Sequence, residues 1–234
     1  MREDMKQYVI RRDRLFVDRV DAGRRLAEKL TKHRGQNVLV LGIPRGGVPV
    51  AAEVAKALGG ELDVIVARKL RAPGSPELAI GAVTANGGRY LNDRIIYEIG
   101  VSNDYIERIT ASEMEEAHRR ESKFREGRRP PEIEGRTVIV VDDGLATGAT
   151  MRAAVRSVRQ ARPTRVIVAV PVGARESCEA LAEEADEVVC PHRPEMFFAI
   201  GGFYQNFEPT DDEEVRRLLS EATTLRRQQR AAKR

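Results

Sequence analysis

The chain has 234 residues, 41% of them hydrophobic and 32% charged, a size and balance that suit one elaborated globular domain and leave little room for two unrelated ones. Much of the net charge of +4 sits in the tail LRRQQRAAKR, where Arg226, Arg227, Arg230, Lys233 and Arg234 have no acid beside them. Without interleaved aromatics that tail reads as a solvated helix end, so nucleic acid is not the expected partner.

No apolar run approaches the roughly 20 residues of a membrane-spanning helix. The N-terminal MREDMKQYVIRRDRLF also lacks the apolar stretch of a signal peptide. No membrane partner and a cytoplasmic location are therefore expected. Cys178 and Cys190 form neither a spaced metal motif nor a disulfide framework, and both read as packing residues.

In chain order, LFVDRVDAGRRLAEKL places Leu15, Val20, Gly23, Leu26, Ala27 and Leu30 near helical spacing, an amphipathic first helix. Val38 to Leu41 then form a continuous apolar run, the mark of a strand buried on both faces. A glycine loop, GIPRGG, follows, and Val50, Val54 and Leu58 repeat every four residues. ELDVIVARKL supplies another short buried strand, which completes a right-handed βαβ unit. RAPGSPELAIG, with Pro73, Gly74 and Pro76, reads as a mobile loop. Two apolar runs around Asn86, Gly87 and Gly88 read as a hairpin.

SNDYIERITASEMEEAHRRESKFREG is a charged helix capped by Ser102 or Asn103, with only Ile106, Ile109, Met114 and Phe124 to bury. After Gly135 the alternation resumes: strand 137–142, helix 149–161, strand 165–171, helix 175–185 and the short strand EVVC. The last part gathers most aromatics and ends in a helix capped by Thr210 or Asp211. Buried strands alternating with helices predict an α/β fold, an open parallel sheet with helices on both faces.

The stretch VIVVDDGLATGAT carries the chemistry. In a parallel sheet the strand ends meet helix N-termini, whose N–H groups and dipole favour anions. Gly144, Ala146, Gly148 and Ala149 leave those N–H groups open, and Thr147 and Thr150 add hydroxyl donors. Asp142 and Asp143 would repel a phosphate unless a sugar lay between, its vicinal hydroxyls donating to both carboxylates. A P-loop would need a lysine here and a dinucleotide fingerprint would need GxGxxG; neither is present. Simple helix capping accounts for one acid but not for two acids with glycines and threonines together.

VIVVDDGLATGAT resembles the 5-phosphoribosyl-1-pyrophosphate (PRPP) motif of the type I phosphoribosyltransferases. Ala146 is a common variant there, Ala149 replaces the usual glycine, and Gly144 replaces the usual branched apolar residue, which would loosen the turn. The resemblance covers roughly residues 14–210. It implies that Arg45, Gly46 and Gly47 of GIPRGG bind pyrophosphate and that Arg68 and Lys69 of ARKL neutralise the leaving group. Asp142 and Asp143 would hold the ribose and, directly or through ribose or water, Mg²⁺. Residues 144–150 would anchor the 5′-phosphate, and residues 70–80 would form a lid.

The same resemblance divides the single domain into a core of about 14–85 and 136–191, an insertion of about 86–135 with a hairpin and helix, a hood with the C-terminal helix of about 192–225, and the basic tail. Under the hood, Phe197, Phe198, Tyr204 and Phe207 are the candidates for stacking on a flat acceptor. The implied activity is Mg²⁺-dependent transfer of phosphoribose from PRPP to a small-molecule acceptor in nucleotide metabolism, with a homodimer left open. The alternative is a PRPP- or nucleotide-responsive regulator that performs no transfer. Within the family the chain looks closest to a group sharing GIPRGG, ARKL and DDGLATG, which leaves the acceptor open.

Overall fold

The computed structural model describes residues 14–231. Its strands are β1 (Val38–Gly42), β2 (Glu61–Val64), β3 (Ala67–Ala72), β4 (Ser75–Thr84), β5 (Arg89–Leu91), β6 (Thr137–Val141), β7 (Arg165–Ala169) and β8 (Glu187–Val189). The helices are α1 (Arg19–Lys29), α2 (Gly47–Leu58), α3 (Asp93–Ile99), α4 (Asn103–Arg125), α5 (Ala149–Gln160), α6 (Arg175–Ala182) and α7 (Asp212–Ala231).

Five strands pair wholly parallel in the order β2-β1-β6-β7-β8. β1 and β6 are buried along their whole length, as unbroken Val, Leu and Ile runs must be when helices cover both faces. Alternate residues serve opposite layers. Val38, Val40, Ile139 and Val141 pack with α1, α2 and α7, while Leu39, Leu41, Val138 and Val140 pack with α5 and α6. Each such fully buried side chain contributes about 1.5–3 kcal/mol relative to exposure. Gly23 lets α1 approach α2 closely, since a Cβ there would lie 2.9 Å from the Val50 carbonyl oxygen.

The chain leaves β1 toward β2 on one side, and β6 leads to β7 on the other, so the order reverses between β1 and β6. Crevices at such a switch point, outside the carboxyl ends of the strands, are where open α/β sheets bind ligands. Register pairing of Gly42 with Val141 brings the GIPRGG and DDGLATG loops out side by side.

A second sheet, β3-β4-β5, is antiparallel. It corrects two expectations. ELDVIVARKL is two strands in two sheets: β2 stops at Val64 and β3 begins at Ala67. The break is held by buried charge, because Glu121 of α4 accepts from the Val66 N–H at 3.0 Å and Arg125 bridges Glu121, Asp63 and the Val64 carbonyl. Residues 70–80 are not an irregular loop either. β3 and β4 pair across them to Ala72 and Ser75, and Gly74 makes the turn at φ +71°. The antiparallel layer begins at Ala67.

Ser102 caps α4 as expected, accepting from the Tyr105 N–H. Ile106 and Phe124 are buried on α4, but Met114 is exposed, and Ala117 and Glu121 take the inner positions instead. Asp211 caps α7 by accepting from the Glu214 N–H at 2.7 Å. The tail meets an acid after all, since Arg226 pairs with Glu61. The Arg230 side chain, Lys233, Arg234 and residues 1–13 lie outside what is described. Among the described residues no helix is long and apolar enough to cross a membrane.

Candidate active site at the switch point

Two glycines are required where the loops meet, for closeness rather than for φ. A Cβ on Gly47 would lie 2.8 Å from the Val141 carbonyl oxygen and 2.9 Å from Asp142 Cα, and one on Gly46 would collide with the Asp143 carboxylate. The Ile43 N–H donates to Val141 O at 2.9 Å, which continues the β1–β6 ladder into the loop. The Pro44–Arg45 peptide is cis. No side chain caps the N-terminus of α2.

The DDGLATGAT loop is anchored by Leu145, whose N–H donates to Val172 O and whose carbonyl accepts from the Ala174 N–H. The Ser177 hydroxyl donates to the Ala146 carbonyl. Neither anchor was legible beforehand. Gly148, at φ +76°, turns the chain into α5, which also starts without a side-chain cap. Its first N–H groups are thereby left for an anion. Ala146 and Thr147 are exposed and Thr150 is half-buried, whereas Ala149 is buried. Gly144 does not loosen the turn: a Cβ there would lie 2.6 Å from Ile200 Cγ2, so the glycine makes room for the hood.

The paired acids have unlike surroundings. Asp142 is half-buried, and its Oδ1 accepts from the Asp143 N–H at 2.9 Å. Burial raises its carboxyl well above the usual range, and the neighbouring Asp143 charge raises it further. Asp143 is buried and accepts from Arg19 Nε at 2.8 Å; burial raises its carboxyl too, against the pull of Arg19. Arg19 also donates to the Glu208 carbonyl at 2.7 Å and lies 3.9 Å over the Phe207 ring. One oxygen of Asp143 is thus committed to the protein, while Asp142 carries no cation of its own among the described residues. Arg19 was missed, although a cation on the same helical face as Gly23, Leu26 and Leu30 was the available signal.

The three cations divide as well. Arg45 reaches Asp212 at 3.5 Å, and Arg68 reaches Glu113 of α4 at 2.7 Å. Lys69 is exposed and has no ion pair among the described residues. In the β3–β4 register Lys69 stands opposite Ala82, which packs on Ala149 and Ala153 of α5; Arg68 stands opposite Val83, which packs with Ile106 of α4. Directly opposed residues share a sheet face, so Lys69 emerges on the α5 side and Arg68 on the other. The sequence reading grouped them; the pleat separates them.

Of the acceptor candidates, Tyr204 needs correction. It is 2% exposed, its ring contacts Phe16 and Phe207, and its hydroxyl donates to the Asp143 carbonyl at 2.6 Å. So little exposure leaves no ring face for an acceptor, and burial pushes the phenol up so that it remains a donor. Phe197 is half-buried and stacks on Phe203, whereas Phe198 is 86% exposed.

A family model for the phosphoribosyl transferase domain matches residues 17–208. Two curated relatives from Mycobacterium tuberculosis, strains CDC 1551 and H37Rv, are named "Putative phosphoribosyl transferase MT0597" and "Putative phosphoribosyl transferase Rv0571c". Each is 46% identical over 209 residues, covering 89% of this chain and 47% of the relative, so the chain spans about half the length of the curated relatives it matches. The crystal structure of TT1426 from Thermus thermophilus is 44% identical, with a TM-score of 0.75 over 88% of this chain and 98% of that one.

Proposed function

The chain belongs to the phosphoribosyl transferase family, and from that premise we propose that it transfers the 5-phosphoribosyl group of PRPP to a small-molecule acceptor, with release of pyrophosphate. The observation that carries this reading is the meeting of an uncapped helix start with Asp142, a carboxylate that has no cation partner among the described residues, at the switch point of the sheet.

The 5′-phosphate sits on the N–H groups that open α5, with Thr147 and Thr150 as further donors. Asp142 accepts from the ribose hydroxyls, while Asp143 holds the shape of the turn through Arg19 and Tyr204. The GIPRGG loop and Lys69 meet the departing pyrophosphate as the C1′–oxygen bond breaks. The acceptor's lone pair then forms the new bond to C1′. The protein's part in such a step is positional and electrostatic, and no protein nucleophile is needed. Phe198, the exposed aromatic of the hood, is available to stack on an acceptor ring.

Mg²⁺ fits this donor set. Among the described residues no cluster of three or more potential ligands exists, but Mg²⁺ is ordinarily held by one or two carboxylates together with substrate phosphates. Asp142 would hold it through ribose or water. When bound, the ion neutralises charge on the leaving group.

The test is pyrophosphate release from PRPP and Mg²⁺ across a panel of nucleobases and small amines. The reading expects release in step with consumption of one acceptor class. PRPP binding with no release for any acceptor would instead support a binding protein.

A further inference from the structure

Asp212, the first residue of α7, draws cations from two other elements. Lys123 Nζ of α4 lies 2.7 Å from its Oδ2, and Arg45 Nη1 of the GIPRGG loop lies 3.5 Å from its Oδ1. Arg120 Nη2, also of α4, approaches the same Oδ1 at 4.0 Å. Oδ1 is nevertheless buried and makes no hydrogen bond, so neither guanidinium is well seated on it. Capping does not explain Asp212 either, because Asp211 performs that task.

The charge is lopsided, three cations around one carboxylate. The neighbouring Arg119 is neutralised by a two-fold hydrogen bond to Glu116 and contributes no further excess. The cations are accessible: the side chains of Arg45, Arg120 and Lys123 are 45%, 30% and 48% exposed. Partly exposed pairs of this kind are weak, because solvent screens them. A multiply charged phosphate with several acceptor oxygens would outcompete a single carboxylate for them.

Resting on the function proposed above, we propose that Arg120 and Lys123 extend the pyrophosphate site from the inserted helix α4, and that Asp212 is an internal anion which the incoming pyrophosphate displaces from Arg45. The inserted layer then has a role in the reaction, since it brings a second set of cations to the loop that receives the leaving group. Lys123 holds the Asp212 carboxyl below the usual range, so the internal anion is present at any pH near neutrality.

Isothermal calorimetry with Mg²⁺ and either inorganic pyrophosphate or ribose 5-phosphate tests this on the full chain. Arg120→Gln and Lys123→Gln, both at accessible positions, should each weaken pyrophosphate binding by about tenfold, the effect of roughly 1.4 kcal/mol, and leave ribose 5-phosphate unchanged. Asp212→Asn should tighten pyrophosphate binding several-fold. Tightening is the opposite of what a residue that merely orients Arg45 would show, so weaker binding in Asp212→Asn overturns the proposal. So does wild-type affinity for pyrophosphate in both glutamine variants, with the proposed function intact. Failure of the wild-type protein to bind either ligand removes the proposed function, and this inference with it.

Discussion

Under the function proposed above, the two sheets would meet the same ligand with different means. The parallel sheet offers backbone: uncapped helix starts after β1 and β6, glycines that let two loops touch, and one carboxylate. The antiparallel sheet offers side chains on a hairpin that leans on α5, with Lys69 on the inner face and Arg68 turned to α4. Fixed dipoles suit the part of a substrate that stays bound, and long flexible cations suit the part that leaves. A similar division separates Asp142, half-buried and without a cation partner among the described residues, from Asp143, buried and paired with Arg19.

The sharpest way to break the second comparison is Asp143→Ala. It strands Arg19, 12% exposed at its side chain, without its carboxylate. Removing one partner of a buried pair costs about 3–5 kcal/mol, so urea unfolding should show a loss near the lower end of that range, as the Glu208 carbonyl still holds the guanidinium. An unchanged midpoint would mean that Asp143 is not structural.

Gly88→Val addresses the contact between the sheets. Its Cβ would collide with Ser157 and would lie 2.6 Å from the Ala153 carbonyl, both on α5. Overpacking of this kind costs about 1–3 kcal/mol. Because the strain is placed between the hairpin and α5, whose start is proposed to hold the 5′-phosphate, PRPP affinity should fall as well. Retained affinity at reduced stability would show that the hairpin's seat does not matter to the site.

Asp142→Asn should act in the opposite sense on stability. The raised carboxyl of Asp142 favours the folded state most below the ordinary carboxylate range, and that contribution is lost as pH rises through the raised value. Above that raised value the native protein carries an ionised acid whose burial opposes folding. The amide should raise the melting temperature of the ligand-free protein by about 2–4 °C and flatten its pH dependence between those two values. A lower melting temperature would show Asp142 to be a structural partner.

The smallest structural effect belongs to Lys69→Ala, within about 0.5 kcal/mol of wild type as expected for an exposed side chain. Its turnover, measured with whichever acceptor supports release, should fall further than that of Arg68→Ala. Equal effects would mean that the two residues act together despite lying on opposite faces.

The parallel core was legible because its signals are local. Val38 to Leu41 and Val138 to Val141 announce buried strands by themselves, and the glycines and threonines after Asp143 lie within a few residues of the acids they serve. What escaped depends on partners far along the chain. Val66 ends one sheet because Glu121, 55 residues away, takes its N–H. Arg19 and Asp143 are 124 residues apart, and Gly144 answers to Ile200 rather than to its own turn. RAPGSPELAIG looked irregular because its prolines and glycine mark a turn without revealing that the flanking residues pair across it. Tyr204 was drawn into the acceptor site because an aromatic's burial cannot be read from its type.

The central claim is that Asp142 meets the ribose of PRPP while Asp143 serves the fold. Calorimetric titration of PRPP with Mg²⁺ into wild-type and Asp142→Asn protein, each shown to be folded by its melting transition, tests it directly. Wild type should bind clearly and the variant should lose about a hundredfold or more, consistent with two charge-assisted hydrogen bonds at roughly 1.5–3 kcal/mol each. Wild-type affinity in the folded variant would contradict it.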